Sequence, residues 1–480
     1  MDSPLALPAL IIAIVVCGGF ALMGALNARR QSTDAAAFNQ ARGSTGALWS
    51  ALSLVALMAG TWVLFSPGEM TSYTGVATLV GYALGMAAPL VILAWLGPAL
   101  VRRYPEAAGP GMMARARWGA PAQLLVSVLT VAYMGSYVVA ELTAISGAFG
   151  IVAGVPAWAT ALLVATATLS YAAWGGLRVT IFTDGVQAWF ILPLLIAAFI
   201  GTIGAFGGWE AAQQPLAARA DLMTLASRPG IEAGMMLMLG IIAANLLDQS
   251  VWQRVIACRD DATRRRAFLL AALGIIPVIL MAGWFGLWYA ARNADLANAS
   301  SALFQVIAQA TPAWVALAVL ALALILVMST LGSLANGLAA LVAADVASFR
   351  PGLSPRQRLA IGRGVTIAAA LIAVPIAAAQ PSVTYVFLAA DLLCATAVVP
   401  LFAGLLGVRL SQFGLFSAVA LGMACAIPAF PRPDFVTPWV ELRPLLHLPA
   451  DVNAMLVSFA LAVVVPLLVT VVWPKAAPVR

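Results

Sequence analysis

The chain has 480 residues, 63% of them hydrophobic and only 9% charged, with a formal net charge of +7. A soluble domain carries about a quarter charged residues, so the composition excludes a water-facing globular protein and points to a polytopic membrane protein. One histidine, His447, and four scattered cysteines without CxxC or CxxH spacing speak against histidine-based catalysis, a disulfide framework or a metal–thiolate centre.

The apolar runs have the length of membrane helices, not of the roughly 10-residue alternating strands of an outer-membrane barrel. Thirteen spans are expected, at 5–28, 46–66, 76–100, 120–149, 156–177, 183–206, 231–257, 267–290, 313–342, 364–380, 382–408, 412–430 and 452–473. The first begins MDSPLALPAL, lacks a basic flank before it, and reads as a retained helix, not a cleaved signal. In the second, Ala59-Gly60 falls mid-membrane and Pro67-Gly68 is expected to end the run. An unwound turn there would free backbone carbonyls, which can bind a cation inside protein. Pro381 marks the turn between the tenth and eleventh spans. With the N-terminus outside, 20 of the 25 Lys and Arg residues fall on the cytoplasmic side, the positive-inside pattern, and the C-terminus is cytoplasmic. The loops are too short for a soluble domain. No phosphate-binding GxxxxGK[ST] and no basic–aromatic pattern for nucleic acid is present.

Polar residues inside such runs are costly and mark functional candidates. The segment 324–346, LILVMSTLGSLANGLAALVAADV, carries Ser329, Thr330, Ser333 and Asn336 in its middle. Ser329, Ser333 and Asn336 fall at i, i+4 and i+7 and share one helical face. Two readings stand open: bonds between helices, or a site for a hard cation that prefers oxygen ligands. Glu141 and Asp391 lie deep in apolar segments, where a carboxylate must be paired, protonated or beside a wet cavity. Asp248 shares a polar half-helix with Asn245, Gln249 and Gln253. Asp184 opens a segment and has helix capping as its alternative. Asp345 reads as interfacial beside Arg350, and Glu69 as a solvated loop residue near the outer surface.

Three stretches then carry a resemblance. YAAWGGLRVTIFTDGVQ (171–187), DQSVWQRVIACRD (248–260) and VMSTLGSLANGLAALVAADV (327–346), with a looser DAAAFNQARG (34–43), resemble in their order the signatures of the sodium/solute symporter family. The match is at family level, similar to the sodium/proline and sodium/galactose symporters. It implies an all-α polytopic membrane fold of the leucine-transporter type, with two inverted five-helix repeats at 46–206 and 231–408. An extra first helix and cytoplasmic loop (1–45) and two C-terminal helices (412–480) would flank them. The resemblance also implies a sodium (Na+) site built from carbonyls of Val55, Met58 and Leu326 and hydroxyls of Ser329 and Thr330. A second sodium, present in some members, would use Asp184 and Ser333, although Gly332 stands where a further hydroxyl is expected.

Thr61, Trp62, Glu141, Asp248, Gln249 and Asp391 are the candidate substrate residues. Leu57 replaces an aspartate of the sodium/proline type, and the sugar-binding pattern of the galactose type is incomplete. The acidic groups suit a cationic or amine-bearing solute, or a neutral polar one such as an amide, urea, amino acid or sugar. The expected activity is sodium-driven import of a small polar solute across the bilayer of the cell (inner) membrane, without enzymatic catalysis. Proton coupling through Glu141 or Asp391, and a non-transporting solute sensor, are the alternatives. Nothing in the sequence bears on oligomeric state.

Overall fold

The computed structural model describes residues 4–29 and 42–472. Most of the 34–43 stretch, Arg30, Lys475 and Arg480 lie outside the described residues, as do the side chains at 27–29, 170, 171, 173–176 and 355.

Every named element is helical. Helix α1 (Ala6–Arg29) precedes a short α2 (Ala47–Met58), a 3-10 turn at Thr61–Leu64 and the long α3 (Ser66–Arg103). Then come α4 (Pro110–Trp118), α5 (Ala120–Ala153), α6 (Ala157–Ala205), α7 (Trp209–Ala217) and α8 (Ala220–Met223). The second half holds α9 (Arg228–Leu247), α10 (Gln249–Ala257), α11 (Asp261–Arg292), α12 (Ala302–Ala310) and α13 (Ala313–Phe349). It closes with α14 (Pro355–Ala378), α15 (Val383–Leu406), α16 (Gln412–Ala429) and α17 (Ala454–Val472). Among the described residues, 11 helices are long and apolar enough to cross a membrane, with shorter apolar helices at Ala47–Met58 and Ala157–Leu169.

Four local expectations change. Pro67 and Gly68 begin a helix and do not end one. Proline fits a first helical turn because its missing N–H would lack an intrahelical partner there anyway. Helix α3 therefore starts at Ser66 and bends at Gly75, whose φ is 77°. Glu69 is accordingly a residue of the first turn of α3, not of a loop. The expected single span 231–257 is two helices parted at Asp248. The span expected from 364 begins at Pro355, because Ser354 and Gln357 form a capping box.

Helix α3 packs on α9 and α11 through glycines. A Cβ on Gly286 would come within 2.0 Å of the Gly68 carbonyl, and one on Gly81 within 2.4 Å of the Gly234 Cα. Such close backbone approach drives association where lipid removes the hydrophobic difference between helix faces. The Thr71 and Ser72 hydroxyls donate to the Gly283 and Gly286 carbonyls at 2.6 and 3.1 Å. On the other side, α13 packs against α5, α6 and α14. Helix α13 is the centre of the molecule: 83% of its most apolar stretch is buried, against 22% for α1 and 17% for α14. Large apolar side chains such as Leu7, Trp158 and Leu371 stand exposed on peripheral helices, the surface a bundle presents to lipid.

Two faces are distinguishable. One carries the loops around 293–301 and 431–453. Both ends of α6, whose apolar stretches are two, Ala157–Leu169 and Leu177–Ala205, lie there: Ala157 borders a cavity with Asn298 and Ser301, and Phe206 packs under the Arg292 guanidinium at 3.8 Å. The other face has a basic rim, where Arg102 pairs with Asp261 and Arg103 donates to the Leu406 carbonyl at 3.0 Å.

Candidate functional site

The site begins where α2 stops. The Ala59 N–H reaches back to the Val55 carbonyl at 2.9 Å, and the chain then extends through Gly60. A restarting helix exposes N–H groups that nothing in an apolar interior can satisfy. Glu141 on α5 supplies an acceptor: its Oε2 takes the Thr61 N–H at 2.8 Å. The Thr61 hydroxyl donates to the Ala323 carbonyl of α13 at 2.9 Å. A Cβ on Gly60 would lie 1.7 Å from Glu141 Oε1, so the close approach of Glu141 requires glycine at this position.

A second break faces it. Between α9 and α10, Asp248 leaves the helical region, and its Oδ1 accepts the N–H groups of Ser250 at 2.6 Å and Val251 at 3.3 Å. This is an N-cap, the role for which a short acidic side chain is suited. Gln249 turns toward the basic face and donates to the Ala108 carbonyl at 2.7 Å.

Helix α13 meets both breaks. The Thr330 hydroxyl donates to the Leu57 carbonyl at the end of α2, at 3.2 Å. Ser329, one residue earlier, donates to Asp184 Oδ1 at 2.8 Å. A hydroxyl that gives its proton to a carboxylate keeps its lone pairs for a cation. Val55, Met58, Leu326, Ser329 and Thr330 are all buried, on the two helices that this contact joins. All five candidate donors are neutral oxygens, and α2 presents its negative end, so the set fits a small hard cation.

Asp184 does not cap a helix. It lies within α6, fully buried, and Arg254 of α10 donates to its Oδ2 at 2.6 Å. Ser53 and Ser333 donate to the same oxygen at 3.0 and 3.1 Å. Asn336 bonds to the Thr180 hydroxyl and to the Gly332 carbonyl, a role in helix–helix contact. Asp345 accepts from Gln123 Nε2 at 2.5 Å.

The candidate substrate residues lie in four places. Trp62 and Asp248 line one small cavity of about 20 Å³ with Met58, Tyr133, Tyr137 and Thr330. Trp62 stacks on Tyr82 at 5.9 Å and meets the edge of Phe387 at 5.6 Å. Thr61 and Glu141 are bonded to each other at the first break. Gln249 is at the basic face, and Asp391 lies behind the aromatic wall, one turn past Phe387 and against Gly240 of α9. Asp391 is 2% exposed and its Oδ1 has no hydrogen-bond partner.

Beyond the 3-10 turn a second cavity of about 520 Å³ opens toward the 293–301 loop. Its lining includes Phe65, Ser146, Ser301, Gln305 and Gln380, and among the described residues Glu69 is its one charged residue. Glu69 Oε2 accepts the Thr384 hydroxyl at 2.5 Å. Four residues escaped the sequence reading as site elements: Arg254, Ser53, Tyr137 and Phe387. Arg254 had a signal, since it falls inside the stretch 231–257 that reads as a membrane span.

The family model described as the sodium:solute symporter family matches residues 38–422. Spermidine transporter DUR31 of Candida albicans is 25% identical over 402 residues, which span 82% of this chain and 74% of that one. A sodium-coupled sialic acid symporter, in a substrate-bound outward-open state, aligns over 98% of both chains with a TM-score of 0.75 at 15% identity. Mhp1, a nucleobase-cation-symport-1 family transporter in a closed conformation with bromovinylhydantoin bound, aligns at 15% identity with a TM-score of 0.55. That alignment covers 92% of this chain and 97% of Mhp1. The shared fold is the leucine-transporter type. From the length of the family match and the architecture together, the chain belongs to the sodium:solute symporter family.

Proposed function

We propose that the protein is a sodium-coupled symporter that imports a small polar, amine-bearing solute by alternating access. The observation that carries this reading is the bond between Thr330 and the Leu57 carbonyl at the end of α2, beside Ser329. A broken helix end and two hydroxyls offer neutral oxygens to a monovalent cation. Val55, Met58 and Leu326 would add carbonyls. Family membership and the likeness to a sodium-coupled symporter support sodium as the coupling ion.

Charge supports the solute class. Glu69 lines the large cavity, Asp248 the small one, and Asp391 lies behind it. Among the described residues none of the three is in a salt bridge. Uncompensated carboxylates suit a cationic nitrogen, and the relative named as a spermidine transporter agrees with that choice.

We read thirteen crossings. The broken α2–α3 unit up to Gly75 makes one and the rest of α3 another; α9 and α10 together make one; α6 makes two, which its ends on one face support. Each repeat, 46–206 and 231–408, then opens on a broken helix, with 1–45 and 412–480 outside the core. The basic rim supports a cytoplasmic assignment for its face and an outside N-terminus in the cell (inner) membrane. The large cavity then faces outside. Sodium would hold α2 to α13, and solute under Trp62 would allow closure and inward opening. Each ligand acts only through its different affinity for the two states. The membrane potential adds about 2.3 kcal/mol per charge per 100 mV.

One observation favours a second reading, proton coupling: Glu141 Oε1 and Asp391 Oδ1 are buried without hydrogen-bond partners. The test is accumulation of labelled spermidine and a panel of small amines in proteoliposomes. Accumulation driven by an inward sodium gradient and absent with choline supports the proposal. Accumulation that follows a pH gradient and ignores sodium supports proton coupling. Binding without accumulation under either gradient indicates a sensor.

A further inference from the structure

We propose that a groove between α3 and α15, toward the basic face, is a binding site for one anionic phospholipid. The arginines at its end would hold the phosphate, and one acyl chain would lie along it. The proposal is independent of the sodium and solute readings above. The groove has a volume of about 290 Å³. Ile92 and Leu96 of α3 and Val399 and Phe402 of α15 line it, with Leu239 and Ile242 of α9, which packs on both helices. Every residue that lines it is apolar, so a polar solute would find no hydrogen-bond partner there. Ile92 is exposed, and the groove therefore opens on a flank that a bundle turns to lipid. Ile92 and Arg103 belong to one continuous helix, α3, and stand about 16 Å apart along its axis. One leaflet of hydrocarbon is about 15 Å deep. The groove thus has the polarity and the reach of an acyl chain.

At its basic end the charge is positive and unpaired. Helix α15 ends at Leu406, one turn past Phe402 on the same face. Arg103, the last residue of α3, donates through Nη1 to the Leu406 carbonyl at 3.0 Å. Arg117 of α4 donates through Nε to the Gly404 carbonyl at 3.3 Å and through Nη2 to the Val408 carbonyl at 3.4 Å. Two guanidinium groups from separate elements therefore meet at the end of α15, and the exposed Arg409 follows in the chain. Among the described residues none of these three arginines is in a salt bridge, while their neighbour Arg102 is paired with Asp261. Glu106, an exposed acid in the loop after α3, is in no salt bridge either.

The carbonyls that Arg103 and Arg117 meet are neutral, so their positive charge is left for an anion. Each guanidinium carries five N–H groups, more than these bonds use, in a fork that matches phosphate oxygens. Basic pockets between membrane helices take anionic lipid head groups by this chemistry. Two amphipathic rings mark the same level. The Tyr104 hydroxyl donates to the Leu405 carbonyl at 3.2 Å, and Trp118 Nε1 to the Leu410 carbonyl at 2.8 Å. Such rings sit at the depth of lipid head groups. A lipid seated here would join α3 to α15, and its binding would stabilise the fold.

The test uses the purified full chain, stripped of lipid in a neutral detergent. Phosphatidylglycerol or phosphatidylcholine with the same acyl chains is then added back. Native mass spectrometry counts the lipids retained, and thermal unfolding reads the stabilisation. Wild type is expected to retain one phosphatidylglycerol per chain, about tenfold or more tighter than phosphatidylcholine, with a raised unfolding midpoint. Arg103→Gln with Arg117→Gln keeps a donor at each position but no charge, and is expected to bring the two lipids within about twofold of each other. Ile242→Trp fills the groove and leaves every arginine in place. It is expected to weaken phosphatidylglycerol binding by about tenfold or more. Equal retention of the two lipids by wild type overturns the proposal, as does an arginine variant that keeps the preference. Ile242→Trp with wild-type affinity, or glycerol phosphate alone giving the full stabilisation, removes the groove from the site and overturns it too. A mass of two chains in place of a lipid adduct would assign the groove to contact between copies and overturn it as well. Should the arginine variant not fold, the lipid preference of wild type and the response of Ile242→Trp decide.

Discussion

Glu141 accepts the backbone N–H of Thr61 at 2.8 Å, and this bond closes the gap between α2 and the helix that follows it. The carboxylate reaches the gap because Gly60 has no side chain there. Removing the acceptor leaves a buried N–H unpaired, at a cost of about 1–3 kcal/mol. Glu141→Ala is therefore expected to lower the thermal unfolding midpoint clearly, and Glu141→Gln, which keeps an acceptor oxygen, to lower it less. Gly60→Ala would push the carboxylate out of the gap and cost a similar amount, about 1–3 kcal/mol. Because both changes break one bond, the double variant Gly60→Ala with Glu141→Ala should be less unstable than the sum of the two. Full additivity would separate Gly60 from the capping of this break.

Asp248 carries two roles that one substitution can part. Asn caps a helix about as well as Asp, so Asp248→Asn should keep the α10 start and remove only the charge beside the small cavity. A charge-assisted bond to an amine is worth about 1.5–3 kcal/mol, so the apparent KM for an amine substrate should rise by about tenfold or more. Unfolding of Asp248→Asn should match wild type. An unchanged KM would leave Asp248 as a cap and nothing more.

The loop that carries Asp434 should respond to acid. Asp434 accepts the N–H groups of Thr437 and Val436, each at 2.9 Å. These bonds hold its carboxyl below the ordinary carboxylate range. A group with a lowered pKa gives stability that is present above its unfolded value and lost as pH falls through the folded one. The loop should therefore hold at pH 5 and loosen below about pH 4. Phe435 in this loop lines the large cavity, so hydrogen exchange there, corrected for intrinsic rates, reads the change. Asp434→Asn should remove the pH dependence; a loop equally protected at pH 3 and pH 5 would contradict it.

Much of the architecture is legible in the sequence because it is local. Runs of apolar residues fix the membrane helices, Ala59-Gly60 marks a break, and Ser329 with Thr330 stands out on an otherwise apolar α13. Pro67 misleads as a helix end, since the same residue favours a helix start. The Asp248 break carries no Gly or Pro and depends on where its carboxylate points, which the sequence pattern does not display. Arg254 reads as one more cytoplasmic charge. Its partner Asp184 is 70 residues away, and pairings of that range are set by how α6 packs on α10 and α13, not by any local spacing. The small cavity is hidden for the same reason: Trp62, Tyr137, Asp248 and Thr330, which line it, come from four separate helical segments.

The central claim is that a sodium ion sits between α2 and α13. The most direct measurement is sodium activation of solute uptake in proteoliposomes by wild type and by Ser329→Ala with Thr330→Ala. Loss of two oxygen ligands should raise the half-activating sodium concentration by about tenfold or more, equivalent to about 1.4 kcal/mol per decade. Uptake at saturating sodium should change little by comparison, while the unfolding midpoint without sodium should fall, because the variant also loses the Ser329–Asp184 and Thr330–Leu57 bonds. The same half-activating concentration in wild type and variant would contradict the account.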